Sequence, residues 1–159
     1  MALKIAQYAV LKADILANTD LNSNPNTLDG AFEIARLYNI NKVPDFTVWK
    51  TLVPIGDVGK SINGVEWGNL TTANSNRLSS IAAYLFDGVD PSRSDIRSLY
   101  DDIFSVGGAT ITSLNILWRR LAKRVEALYA VGTGTDIAPA SLVFEGDITP
   151  VDVLQARNS

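Results

Sequence analysis

The chain is 159 residues long, with 47% hydrophobic and 19% charged residues and a formal net charge of −3. That length fits one domain able to bury a core without staples, and the mild negative balance argues against a general nucleic-acid binder. Cysteine and histidine are both absent, which excludes disulfides, thiolate metal sites, His-based triads and HExxH zinc sites.

No apolar run approaches the roughly 18 residues of a membrane span. The opening stretch, MALKIAQYAVLKADILAN, carries too much Lys, Gln and Asp for a signal peptide, so folding in the cytoplasm is expected. Residues 2–17 read as a first helix with Ala6, Ala9, Val10, Ala13, Leu16 and Ala17 on one face. The polar connector 19–26, with its proline, stops it. Asn26 or Thr27 caps a second helix whose apolar face is Leu28, Ala31, Phe32, Ala35 and Tyr38, ending near Asn39. From Val43 to Val53 β-branched and aromatic residues dominate, and the stretch reads as extended. A helical turn is expected over 54–62. Asn63-Gly64 is a turn signal, and Val65 to Trp67 reads as a second extended segment. Segments 45–53 and 65–70 together suit a small β-hairpin within an insertion at 43–70.

From Thr71 the helical period returns, with Leu78, Ile81, Ala82, Leu85 and Phe86 on one face and Gly88 as the stop. Asp90-Pro91 starts the next helix, which buries Ile96, Leu99, Tyr100, Ile103 and Phe104. After Gly107-Gly108 comes the strongest signal. Ile111, Leu114, Trp118, Leu121, Val125 and Leu128 recur at steps of three and four, which predicts one long central helix over 109–131. Leu117, Ala122 and Tyr129 widen the stripe into a core-packing face, with Trp118 as its anchor. Thr110 or Thr112 can cap its start, and Gly132 suits a left-handed end. Arg119, Arg120, Lys123 and Arg124 fall mostly off the stripe, with Glu126 among them, and form a basic face.

The tail begins with an extended connector, GTGTDIAPAS, at 132–141. Thr149-Pro150-Val151-Asp152 combines an N-cap, a first-position proline and a first-turn acid. The helix they open, 150–157, is too short to stand alone. The expected fold is therefore mainly α, a bundle of about five helices around the 109–131 helix. Residues 1–132 would form a single helical domain and 133–159 a C-terminal arm with a short terminal helix.

No motif carries chemistry. Gly59-Lys60-Ser61 lacks the earlier glycine of a phosphate loop, that position being Pro54. Gly132-Thr133-Gly134 has no third glycine at Ile137 and follows a helix. Asn69-Leu70-Thr71 matches the glycosylation triplet without an export signal. Asp101 and Asp102 are adjacent on a helix and point apart, so with Asp95 they read as a solvated face. The basic cluster reads the same way, with nucleic-acid contact as its alternative. No catalytic, cofactor-binding or metal-ligating residue is assigned, and no cofactor is expected. Trp49 and Trp67 in the non-helical middle are candidate interaction residues, with core anchoring as the equal alternative. In the tail the candidates are Leu142, Val143, Phe144, Val151, Val153 and Leu154.

Three phrases carry a resemblance: VWKTLVP at 48–54, EWGNLTTANSNRLSSIAAYLF at 66–86, and EALYAVGTGTDIAPASLVFEGDITPVDVLQAR at 126–157. They resemble small proteins encoded by tailed bacteriophages, a family without an assigned activity. GTGTD followed by PASLVFEG is the most specific part. The resemblance implies a phage origin and a place in the virion assembly module. The expectation is a virion structural protein, a neck or head–tail adaptor forming a homo-oligomeric ring. Its partners would be portal, capsid or tail proteins of the same phage. It would not engage membranes, and would meet nucleic acid at most through a ring lumen. It would reside in the virion, and in the host cytoplasm during assembly. Alternatives are another capsid- or tail-associated protein, an assembly chaperone, or a small DNA-binding regulator using the basic face. An enzyme is not expected.

Overall fold

The computed structural model describes residues 3–159. The chain is mainly α-helical, as its periodicity predicts, with 55% helix in ten helices and a two-stranded antiparallel sheet among the described residues. In chain order, α1 spans Ile5–Ala17, α2 Thr19–Asn22, α3 Leu28–Tyr38, β1 Thr47–Trp49, α4 Ile55–Ser61, α5 Gly64–Gly68, α6 Thr72–Tyr84, α7 Ser94–Ile103, α8 Ala109–Leu117, β2 Arg119–Leu121, α9 Arg124–Tyr129 and α10 Pro150–Asn158. The helices are more numerous and shorter than the expected bundle of about five, because capping groups close them early.

The chain folds as two compact units, one made of the segments up to Val48 and Leu121–Ser159, the other of the continuous run Trp49–Arg120. This replaces the expected division into a body at 1–132 and an arm at 133–159. In the first unit α1, α3 and α10 pack together. Their shared core holds Leu11, Ile15, Leu21, Ile34, Tyr38 and Val125, and also Phe144, Ile148 and Val153 from the supposed arm. Gly30 is required where α3 meets the preceding loop, since a Cβ there would run into the Pro25 carbonyl. The final helix begins as its sequence predicts. Thr149 Oγ1 accepts from Asp152 N at 3.2 Å, and Asp152 Oδ2 accepts from Thr149 N at 2.8 Å.

In α1 the predicted face is the wrong one. Tyr8, Leu11 and Ile15 are buried, while Ala6, Ala9, Val10, Ala13, Leu16 and Ala17 are all exposed. The two stripes share helical spacing, and the one holding a tyrosine, a leucine and an isoleucine offers more area per residue than the alanine-rich one. On α3, Ile34 takes the core position, and Leu28 and Phe32 face solvent.

The second unit packs α4, α6, α7 and α8 around Val58, Leu78, Ile81, Tyr100, Leu114 and Trp118. The α7 face is as predicted except that Leu99 is half-buried, but the helix starts at Ser94. Asp90 accepts from the Ser92 amide at 3.0 Å and closes a turn first. Phe86 lies beyond the end of α6 and is exposed. The predicted hairpin does not form. Segment 64–68 is helical because the Asn63 side chain accepts from Val65 N at 3.0 Å and Glu66 N at 3.2 Å. β1 pairs instead with β2.

The 109–131 helix is the main correction. It ends at Leu117, with Trp118 as C-cap, and residues 119–121 are extended. The Arg119 side chain donates to the Asn115 carbonyl at 2.5 Å and satisfies the freed end of α8. α9 restarts when Glu126 accepts from Lys123 N at 2.9 Å. Glu126, expected on the outer face, is buried and also accepts from Gly146 N at 3.1 Å. The single apolar stripe therefore serves two cores: Ile111, Leu114 and Trp118 in the second unit, Val125 and Tyr129 in the first. Leu121 between them is exposed. Gly132 has a positive φ of 129°, but α9 has already ended at Tyr129 with Ala130 as its cap.

Candidate interaction surfaces

The four basic side chains do not share a helix face. Arg119 and Arg120 lie in β2, Lys123 caps α9 and Arg124 opens it. Lys123 pairs with Asp147 at 2.7 Å. Arg124 reaches Asp14 at 3.4 Å and lies 4.9 Å from the centre of the Tyr38 ring. Tyr38 in turn donates to Asp14 at 2.5 Å. Burial first, and then the Asp14 carboxylate, push the Tyr38 phenol far above its ordinary range. This buried-to-surface chain of groups ties α1, α3 and α9 together, and its charges are used in doing so. Among the described residues, no group of three or more acidic, His or Cys side chains is placed to hold a metal ion.

The candidate aromatic and tail residues separate into three kinds. Phe144 and Val153 are core, and Leu154 packs against the same cluster, so these close the first unit from within. Leu142 is half-buried beside Val48, Ala122 and Ala140. Trp49 is half-buried, with the Arg97 guanidinium 4.3 Å from the centre of its ring. Val143, Val151 and Trp67 are presented to solvent, Trp67 at 53% exposure.

Further apolar groups outside the candidate residues also face outward. The outer side of α1 is apolar over its whole length, from Ile5 through Ala9, Val10 and Ala13 to Leu16 and Ala17. Contiguous exposed apolar surface of this kind marks association sites on folded proteins. A signal was available: α1 carries two apolar stripes, and a helix packed on one side needs only one. In the tail, Ile137 is 96% exposed.

The second unit also holds two recesses. An open groove of about 640 Å³ runs between α6 and α7, lined by Ile81, Tyr84, Leu85 and Leu99, with Arg77 and Asp102 also in its wall. A smaller one of about 250 Å³ lies among α4, α5, α6 and α7, lined by Val58, Ile62, Trp67, Leu78, Ala82 and Tyr100. Burial pushes the Tyr100 phenol up to about 12. No helix among the described residues is long and apolar enough to cross a membrane. No family model, curated protein or solved structure matches the chain.

Proposed function

We propose that the chain is a structural protein of a tailed-phage virion, a neck or head–tail adaptor that self-associates into a ring between the portal or capsid and the tail. The observation that carries this reading is the outer face of α1, apolar from Ile5 to Ala17 and left uncovered by the rest of the first unit. A helix that keeps a second apolar stripe in water spends stability unless a neighbour covers it. The resemblance of the 126–157 phrase to small phage proteins supplies the setting. In this reading the protein works by fit. Its two units present apolar surfaces, neighbours bury them, and the joint is sealed without chemistry. It would be found in the virion, and in the host cytoplasm while particles assemble.

The test is the mass of the purified chain by light scattering, together with its copy number in purified particles. The expected result is a discrete oligomer and a fixed stoichiometry in the particle. Leu16→Asp on the outer face should lower particle incorporation and leave the helical melt intact. A chain that is monomeric at all concentrations and missing from particles would remove the reading.

A further inference from the structure

One apolar side chain is held in the open by a rigid turn. Thr135 N donates to the Ala138 carbonyl and Ala138 N to the Thr135 carbonyl, each at 3.2 Å, and Thr133 Oγ1 adds a bond to the same Ala138 carbonyl at 3.0 Å. The turn is anchored to its own unit by Thr47, whose hydroxyl donates to Asp136 at 2.6 Å and whose amide donates to the Gly134 carbonyl at 2.7 Å. Gly134 must be glycine: its φ is +68°, and a Cβ would run into the Phe46 ring. All this fixes the backbone around Ile137, which is 96% exposed and makes no main-chain hydrogen bond among the described residues. Ordering a turn to present an isoleucine to water gains nothing within the chain.

The second unit carries a recess with the opposite deficiency. Its volume of about 250 Å³ is below the roughly 300–1,000 Å³ of sites that enclose small-molecule ligands, and suits a single side chain. Its walls are apolar except for Ser79 and one phenol. Tyr100 is 1% exposed, and its hydroxyl makes no hydrogen bond among the described residues. That oxygen is not sealed in the interior either, and Tyr100 is part of the wall of the recess. A hydroxyl within reach of water gives up that water when the recess is filled, and then needs an acceptor on whatever fills it. Trp67 and Tyr100 in the wall are residue types that dominate binding energy where they are desolvated.

We propose that the turn Thr135–Ala138 of one copy seats Ile137 in this recess of a second copy, with the Tyr100 hydroxyl donating to the main-chain carbonyl of Ile137. The inference rests on the self-association in the reading above; it assigns the contact between copies to turn and recess, and leaves the outer face of α1 to be covered by other virion proteins. Turn and recess are different surfaces, so the contact is head-to-tail. Each copy keeps one of the two unused, and the chain of contacts closes into a ring if the rotation permits.

The test measures mass by light scattering at micromolar concentration for wild type, Ile137→Asp and Ala82→Phe, each first shown to keep the wild-type thermal melt. Gly59→Leu is the alternative filler, since a Cβ at Gly59 meets nothing within 4 Å. Each variant alone should be monomeric. Mixed, they should form a one-to-one dimer and nothing larger, because one supplies only a recess and the other only a turn. Tyr100→Phe should weaken self-association about two- to tenfold, the worth of one hydrogen bond. A wild-type oligomer unmoved by Ile137→Asp and Ala82→Phe overturns this contact and leaves the ring reading standing. Monomeric variants that fail to complement each other also overturn it. A wild-type chain that is itself monomeric overturns both.

Discussion

The two units are closed in different ways. The second is a continuous run, Trp49–Arg120, held mainly by apolar packing between successive helices. Its few long polar ties include Glu66, which accepts from Ala109 N at 2.7 Å and Thr110 N at 2.9 Å and so caps α8 from α5. The first is assembled from segments far apart in the chain, and polar side chains fasten them. Tyr8 donates to Asp152 at 2.9 Å, Tyr129 to the Gln7 carbonyl at 2.9 Å, and Arg157 to the Asn24 carbonyl at 2.9 Å. Asn39 exchanges two bonds with the main chain of Ile148, at 2.9 and 3.0 Å. Directional bonds fix register where loop closure is long and apolar contact alone would leave it loose. Local packing needs less of this, and the second unit is the one with the described apolar recesses.

If the comparison is right, removing the tail breaks only one unit. Deleting residues 142–159 takes Phe144, Ile148, Val153 and Ala156 from the first core. Amide exchange should then show α1 and α3 unprotected and α6 to α8 still protected. Uniform loss of protection would show that the units do not fold separately. Next in size are paired core truncations. Trp118→Ala and Phe144→Ala should each cost about 3–5 kcal/mol, the first read in the exchange of α7 and α8, the second in that of α1 and α3. Trp118→Phe should cost far less than the alanine change. The buried indole N–H has no hydrogen-bond partner among the described residues, and phenylalanine removes that donor along with some ring area.

Alkaline pH should separate the units more gently. Burial raises Tyr38 and Tyr129 above the ordinary phenol value, and the Asp14 charge adds to both. A folded pKa raised above the unfolded one gives stability that is complete below about pH 10 and is lost as pH climbs towards the folded value. Tyr100 in the second unit is raised less, to about 12, so the first unit should lose more stability than the second as pH rises above 10, followed by circular dichroism and exchange. Tyr38→Phe should flatten that alkaline limb at a cost of roughly 1–2 kcal/mol near neutrality. The smallest effect is at Glu66. Hydrogen bonds from Thr110, side chain and main chain, lower its carboxyl pKa despite some opposing desolvation. Its contribution is present above the ordinary carboxylate range and fades as pH falls through the folded value. Glu66→Gln should raise exchange only in the first turn of α8.

Much of the helical content was legible because its signals are local. Thr27 caps α3, Asn39 ends it, and Thr149-Pro150 opens α10, each at the residue its chemistry predicts. The break after Trp118 was not legible. Apolar spacing runs through it undisturbed, and Lys123 is not a capping residue type. What ends α8 is a strand partner some seventy residues earlier in the chain, which no window of helical periodicity contains. Ile137 was hidden for the same reason. Its stretch is polar and glycine-rich and reads as a flexible connector, yet Thr47 and Phe46 fix it from across the sequence. Trp67 was legible as a candidate by type and misplaced by context, since Asn63 converts the expected strand into a helix.

The order of segments has a consequence under load. The chain leaves the first unit after Val48 and returns at Leu121, so Trp49–Arg120 is an insertion within it. A pull applied between α1 and α10 acts on two helices that pack side by side in the first unit. Tension reaches the inserted run only once that unit has opened, so the second unit is spared until then. In a stretching experiment with handles on α1 and α10, extension should come in two steps, the first from the latched unit and the second from the insertion. Handles placed on α4 and α8 should load the insertion at once and bypass the latches.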